Sequence, residues 1–284
     1  VPGADDARGS LIVAGAGVAL AGEQAGEGAA VVLLHGLTAT RRYVVMGSRA
    51  LERAGHRVVA YDARGHGASS PAPAAAQYGY ELLAADLEAV LDSLGLQRAV
   101  LAGASMGAHT ALRLALTHPQ RVAALALITP SFDPDAPREQ HELARWDALA
   151  RGLREGGVEG FVRAYDLDAV PEAWRETVAK VLRQRLGAHE HPLAVADALE
   201  AVPRSRPFER IDELEAVAAC TVVIASRDEA DPGHPLAVGE RYAEAIPGAQ
   251  LVVEDAGPPA RPPIAWQGGQ LSRVIAALAE RSRA

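Results

Sequence analysis

The chain lacks the residues that would tie it to several functional classes. A single cysteine, Cys220, stands among 284 residues, which excludes an intrachain disulfide framework. Its neighbours, Val217-Ala218-Ala219 and Thr221-Val222-Val223-Ile224, predict a buried strand position for it and not a catalytic thiol. Positive charge is outnumbered, 28 Lys and Arg against 36 Asp and Glu for a net charge of −8, which argues against a nucleic-acid surface and for solubility. Long hydrophobic runs are missing as well. The most apolar early stretch, Leu11 to Ala21, is Gly-broken and too short to span a bilayer, and Asp5 and Asp6 stand where a signal peptide carries basic residues. It reads as two edge strands, 10–13 and 17–21, and the expected location is cytoplasmic, with no membrane partner. Histidine, finally, does not occur after His234.

What is present describes an ordinary globular interior, with 49% hydrophobic and 23% charged residues. A chain of this length buries roughly three quarters of its unfolded surface. One large domain, or one domain with an insertion, is therefore expected. Strand-like apolar runs recur at 30–34, 57–61, 99–102, 123–128, 221–225 and 250–253, separated by helical patterns. Several are apolar at every position, as in a parallel sheet covered by helices on both faces. Between Pro130 and Pro207 the rhythm changes to charged helical stretches (139–153, 158–165 and 171–186) without a convincing strand. The fold class is α/β, a mostly parallel central sheet with helices on both faces. Its core comprises residues 1–131 and 208–284, and a helical cap, 132–207, is inserted over one edge.

Ligands of open α/β sheets bind at the carboxyl ends of the strands. The residues that follow the strands here are small and polar: His35-Gly36-Leu37-Thr38, Asp62-Ala63-Arg64-Gly65-His66-Gly67-Ala68-Ser69, and Gly103-Ala104-Ser105-Met106-Gly107. The last is a G-x-S-x-G sequence directly after Ala99-Val100-Leu101-Ala102 and before the helical run that ends near His118-Pro119. A sharp strand-to-helix turn needs small residues two before and two after its central residue, because strand and helix approach closely there. Ser105 is accordingly the candidate nucleophile.

Together these three ordered motifs resemble the α/β-hydrolase superfamily, in particular its capped esterase, lactonase and carbon-carbon hydrolase branch. The resemblance covers nearly the whole chain outside the cap. It implies an oxyanion hole formed by the backbone N–H groups of Leu37 and Met106, and the physics agrees for Met106, which begins a helix. It also implies an acid after the strand that follows the cap. Asp228 fits, with Asp231 as a nearby alternative and Asp133 a distant one. A serine at the elbow disfavours the branches that attack with a carboxylate.

The family's histidine follows the last strand, and there this chain has Glu254-Asp255-Ala256-Gly257-Pro258-Pro259. Proline carries no proton to exchange, so the usual relay cannot be completed from that loop. His234, in Asp231-Pro232-Gly233-His234-Pro235, is the candidate base, its alternative being a structural loop histidine. A six-residue extended segment spans up to about 20 Å, and a place near a helix N-cap would keep the imidazole neutral. His35, His66 and His109 are weaker candidates. Trp266, Gln267 and Arg261 would occupy the space beside the absent histidine, as a pocket wall or a packed C-terminal loop. His189-Glu190-His191 does not make a metal site, since residues two apart on a helix do not share a face.

The sequence thus supports a serine hydrolase acting on a small ester, lactone or related carbonyl compound, with no cofactor, no metal and a small-molecule substrate as its partner. The second reading is a hydrolase fold that has lost efficient turnover and serves in small-molecule binding or sensing.

Overall fold

The computed structural model describes residues 8–136, 140–227, 233–254 and 263–282. Among these, eight strands form one sheet in the order β1-β2-β4-β3-β5-β6-β7-β8. They are β1 (Gly9–Ala14), β2 (Ala19–Ala25), β3 (Ala29–Leu34), β4 (His56–Tyr61), β5 (Ala99–Ala104), β6 (Val122–Ile128), β7 (Cys220–Ala225) and β8 (Gln250–Val253). β1 and β2 run antiparallel, β2 pairs antiparallel with β4, and every later pairing is parallel. Only β1 of the first two is an edge strand. β2 is hydrogen-bonded on both sides, so the expectation of two edge strands is corrected: its carboxyl half, 22–25, continues past the predicted end and pairs with β4.

The uniformly apolar strands owe their composition to helices on both faces. Successive side chains alternate across a strand. Val32 and Leu34 of β3, with Leu101, Leu125 and Val223, pack on one face against α2 (Tyr80–Ser93), α3 (Met106–Thr117) and α7 (Leu236–Ala245). Val31 and Leu33, with Val100, Ala102 and Ile224, pack on the other face against Leu51 of α1 (Ala50–Arg53) and against Leu271, Ile275 and Leu278 of α8 (Gly268–Arg281). The expected strand interior at Cys220 is the exception. It is exposed, and it is the first residue of β7.

Among the described residues between β6 and β7 lie α4 (Gln140–Ala164), α5 (Glu172–Leu186) and α6 (Pro192–Ala201). α4 is two helices joined at Gly157, whose φ of 57° and ψ of −148° are non-helical. A Cβ added to Gly152 would stand 2.5 Å from the carbonyl oxygen of Gly160, although eight residues of straight helix span about 12 Å. The chain therefore doubles back at Gly157, where the sequence pattern places a break between 153 and 158. An apolar cluster runs from this segment, through Leu153, Phe161 and Leu182, to Leu37 and Met106 at the carboxyl ends of the strands.

Candidate active site

The structure places Ser105 between β5 and α3 with φ 50° and ψ −113°. An L residue in so sparsely populated a region costs about 1–3 kcal/mol and persists where the surroundings over-determine it. The Ser105 N–H donates to the Ile128 carbonyl at 2.9 Å, and its own carbonyl accepts from the His109 N–H at 3.1 Å. The flanking glycines permit the approach: a Cβ on Gly103 would lie 2.2 Å from the Gly107 carbonyl oxygen, and one on Gly107 would lie 2.2 Å from that of Leu34. Ser105 is half-buried.

The loop after β3 faces it. A Cβ on Gly36 would be 3.6 Å from the Ser105 Cβ. The Gly36 carbonyl accepts from the Ala39 N–H at 2.9 Å and is held by Nδ1 of His35 at 2.8 Å. Since a trans peptide sets its C=O and N–H in opposite directions, anchoring the Gly36 oxygen also fixes the Leu37 N–H. Met106 opens α3, where the first N–H groups have no intrahelical acceptor. Leu37 and Met106 themselves are buried in one apolar cluster.

The 62–69 loop is built of mutual supports. The Asp62 carboxylate accepts from the backbone of Arg41 at 2.8 Å and of Ala68 at 3.2 Å and pairs with the Arg41 guanidinium. A Cβ on Gly67 would collide with that carboxylate at 2.1 Å. Ser69 donates its hydroxyl to the Asp62 carbonyl at 2.6 Å and accepts the Ala21 N–H at 2.9 Å.

Four histidines are buried in or near the site, and their ring nitrogens serve the backbone. His35 Nε2 accepts the Ala63 N–H at 2.9 Å, which leaves the proton on Nδ1 for Gly36. His109 Nε2 accepts the N–H groups of Ser131 and Phe132 at 3.1 and 3.2 Å, while Nδ1 meets the Tyr80 hydroxyl at 3.0 Å. Burial pushes His35, His109 and His189 down to about 3. It also lowers His66, against the pull of the Arg64 and Leu37 carbonyls and of Asp62. His35 and His109 are thus poor bases with committed lone pairs. Because an unfolded histidine titrates near 6.5, the unfolded chain takes up protons that the folded one refuses. Stability is expected to be full above about pH 6.5 and to fall continuously toward pH 3; urea midpoints measured across that window check the sign.

His234 is half-buried. Pro235 is the N-cap of α7, so His234 precedes the cap by one residue and does not occupy it. Its imidazole lies within electrostatic reach of His109, one helical turn along α3 from Ser105. Asp228, Asp231, Pro258 and Arg261 lie outside the described residues. Asp133 is engaged elsewhere, since its carboxylate binds Arg241 at 2.5 Å and the Asp135 N–H at 3.0 Å. Trp266 sits in a short 3-10 turn, Ile264–Trp266, with its ring 5.7 Å from that of Trp174 on α5. His189 and His191 belong to the connection between α5 and α6 rather than to a helix. Among the described residues no cluster of three metal-ligating side chains occurs, and no helix is long and apolar enough to cross a membrane.

Arg185 carries no mark in the sequence pattern, yet α5 delivers it here. Its Nη2 lies 3.9 Å from the position of a Cβ on Gly36, and its guanidinium stands 6.0 Å over the Tyr43 ring. A groove of about 750 Å³ on α4 and α6 is lined by paired charges such as Arg154 with Asp197 and Arg204 with Asp147, and holds none of these residues.

The family model for the α/β hydrolase fold matches residues 29–168. The "Putative carbamate hydrolase RutD" of Variovorax paradoxus (strain S110) is 34% identical over 207 residues, covering 72% of this chain and 75% of that protein. The chain belongs to the α/β hydrolase family. A second relative of this hydrolase, the 2-hydroxy-6-oxononadienedioate/2-hydroxy-6-oxononatrienedioate hydrolase 2 of Pseudomonas putida, is 32% identical over 237 residues and 80% of each chain. Among solved structures, a thermophilic esterase from Thermogutta terrifontis matches the hydrolase with a TM-score of 0.76 at 27% identity, over 98% of this chain and all of that one.

Proposed function

We propose that this hydrolase is a serine enzyme acting on a small ester, lactone, carbamate or related carbonyl compound. The observation that carries the proposal is Ser105, held at positive φ directly opposite the Gly36–Leu37 peptide. The Ser105 Oγ adds to the substrate carbonyl carbon as its proton passes to the base. The carbonyl electron pair moves onto oxygen, where the Leu37 and Met106 N–H groups receive it, and such preorganised donors are each worth about 10²–10³ in rate. Collapse expels the leaving group with that proton, and water repeats the sequence on the acyl-enzyme. His234 is the base and Asp228 its orienting acid. The proximity of His234 to His109 supports this assignment. Residues 132–207 form a cap over the site, and its Trp174, packed on Trp266, walls the pocket. The relatives' names support the substrate class, since an ester, a carbamate and an oxo-dienedioate each carry a carbonyl group.

A second reading is favoured by Pro258 and by the absence of any histidine after His234: a fold that binds or senses a small molecule and turns it over poorly. Labelling with a fluorophosphonate probe separates the two. The enzyme reading expects rapid labelling in the wild type, and loss of about 10²–10⁴ in labelling rate in His234→Ala, the range of a general base. Labelling that ignores the His234 substitution removes it as the base. A wild type that does not label, yet binds small carbonyl compounds tightly by calorimetry, decides for the sensor.

A further inference from the structure

Three consecutive carbonyls of the loop opposite Ser105 each meet a buried imidazole. The Gly36 oxygen meets Nδ1 of His35 at 2.8 Å, the Leu37 oxygen meets Nε2 of His66 at 2.7 Å, and the Thr38 oxygen meets Nε2 of His189 at 3.3 Å. The rings follow one another in a row, His35 and His66 tilted by 53° with centroids 5.2 Å apart, His66 and His189 edge-on at 75° with centroids 5.5 Å apart. Two of these histidines come from the strand ends themselves. The third arrives from the helical segment, 151 positions along the chain from Thr38.

The other side of His189 shows what it is attached to. Its Nδ1 accepts the Gly67 N–H at 2.8 Å, and the next residue, Glu190, donates its N–H back to the Gly67 carbonyl at 2.8 Å. A neutral ring that accepts at Nδ1 carries its proton on Nε2, so one tautomer makes both bonds of His189 at once. The ring is 8% exposed. His66, His35 and Asp62 are the titratable groups that face it.

We propose that His189 is a positioning residue through which the cap controls the oxyanion loop: with the cap seated, His189 bridges Gly67 to Thr38 and holds the loop in the geometry that aims the Leu37 N–H. The inference rests on the serine-hydrolase reading above, and extends it. Seating of the cap and competence of the oxyanion hole become one event, because the same imidazole makes both contacts. A substrate that holds the cap closed thereby completes the site that will act on it.

The two ring nitrogens can be tested separately. In His189→Asn the amide oxygen takes the place of Nδ1, keeping Gly67 and releasing Thr38. In His189→Gln the amide N–H takes the place of Nε2 and keeps Thr38, while His189→Ala loses both. With p-nitrophenyl acetate, kcat is expected to fall about tenfold in His189→Asn with little change in KM, to fall further in His189→Ala, and to stay closest to wild type in His189→Gln, as expected when a group supporting the reacting constellation is loosened. Amide hydrogen exchange over residues 36–40 is expected to quicken in the Asn and Ala variants and not in the Gln variant. Uniform loss of melting temperature in the three variants, with loop exchange and kcat unchanged, overturns the proposal and makes His189 a packing residue. If Ser105 fails to label in the wild type, the serine reading falls. Hydrogen exchange still decides the tether: exchange unaltered in His189→Asn overturns it.

Discussion

Replacing Ser105 with alanine is expected to lower kcat/KM toward a short p-nitrophenyl ester by at least about 10³-fold, because the oxyanion donors and the binding pocket remain while the attacking atom is gone. That is a loss of about 4 kcal/mol in transition-state stabilisation. The fold should hardly notice. Alanine keeps the Cβ that makes φ 50° and ψ −113° unfavourable at this position, so the backbone strain is the same and thermal melting should be unchanged. Ser105→Gly should be equally inactive and yet melt higher, by a difference that reports the strain. Relieving it returns about 1–3 kcal/mol, against about 0.5–1 kcal/mol lost to the greater freedom of unfolded glycine. Activity retained in Ser105→Ala would refute the nucleophile assignment outright, and a Ser105→Gly variant that melts lower than wild type would show that the elbow is not strained.

The second large effect concerns stability. Arg64 and Asp86 are each 1% exposed and form a two-pronged pair, Nε to Oδ2 at 2.7 Å and Nη2 to Oδ1 at 2.8 Å. The guanidinium also donates to the carbonyls of Gln77 at 2.8 Å and Ala16 at 3.1 Å, and Asp86 accepts the Ala16 N–H at 2.9 Å. The pair thereby sews the β1–β2 turn, the 62–69 loop and α2 together. Removing one partner strands a charge in the interior, so Arg64→Met or Asp86→Leu is expected to cost about 3–5 kcal/mol. The double variant Arg64→Met with Asp86→Leu should recover much of that loss, because no buried charge is left without its counterion. Urea denaturation of the four proteins in a double-mutant cycle measures this. Single substitutions costing under about 1 kcal/mol would show that water reaches the pair when one partner is removed.

The elbow was legible because its requirements are local. Gly103, Ser105 and Gly107 obey a steric rule set by one strand and one helix, and the collisions that a Cβ would meet at the two glycines are the physical content of that rule. The alternation of β and α elements was legible for a similar reason, since a strand covered on both faces must be apolar at every position. The sequence pattern misleads where a neighbour in space decides the outcome. Cys220 has strand-like neighbours in sequence, yet it is the first residue of β7 and its side chain is exposed. β2 reads as an edge from its own composition, and only its partner β4 makes it internal.

The amino-acid sequence by itself determined the family, the sheet with its strand ends, and the serine at the turn, because each follows from short-range sterics and hydrophobic periodicity. Tertiary structure alone decided the work of the histidines. His189 reads in the sequence as half of a His-Glu-His pair without a metal partner, and in the fold its two nitrogens join Gly67 to Thr38 across 122 and 151 positions. Arg185 likewise has no local signature, and reaches Gly36 only because α5 packs over the strand ends. Hydrogen-bond partners separated by such distances are chosen by packing, and no periodicity in the chain records them.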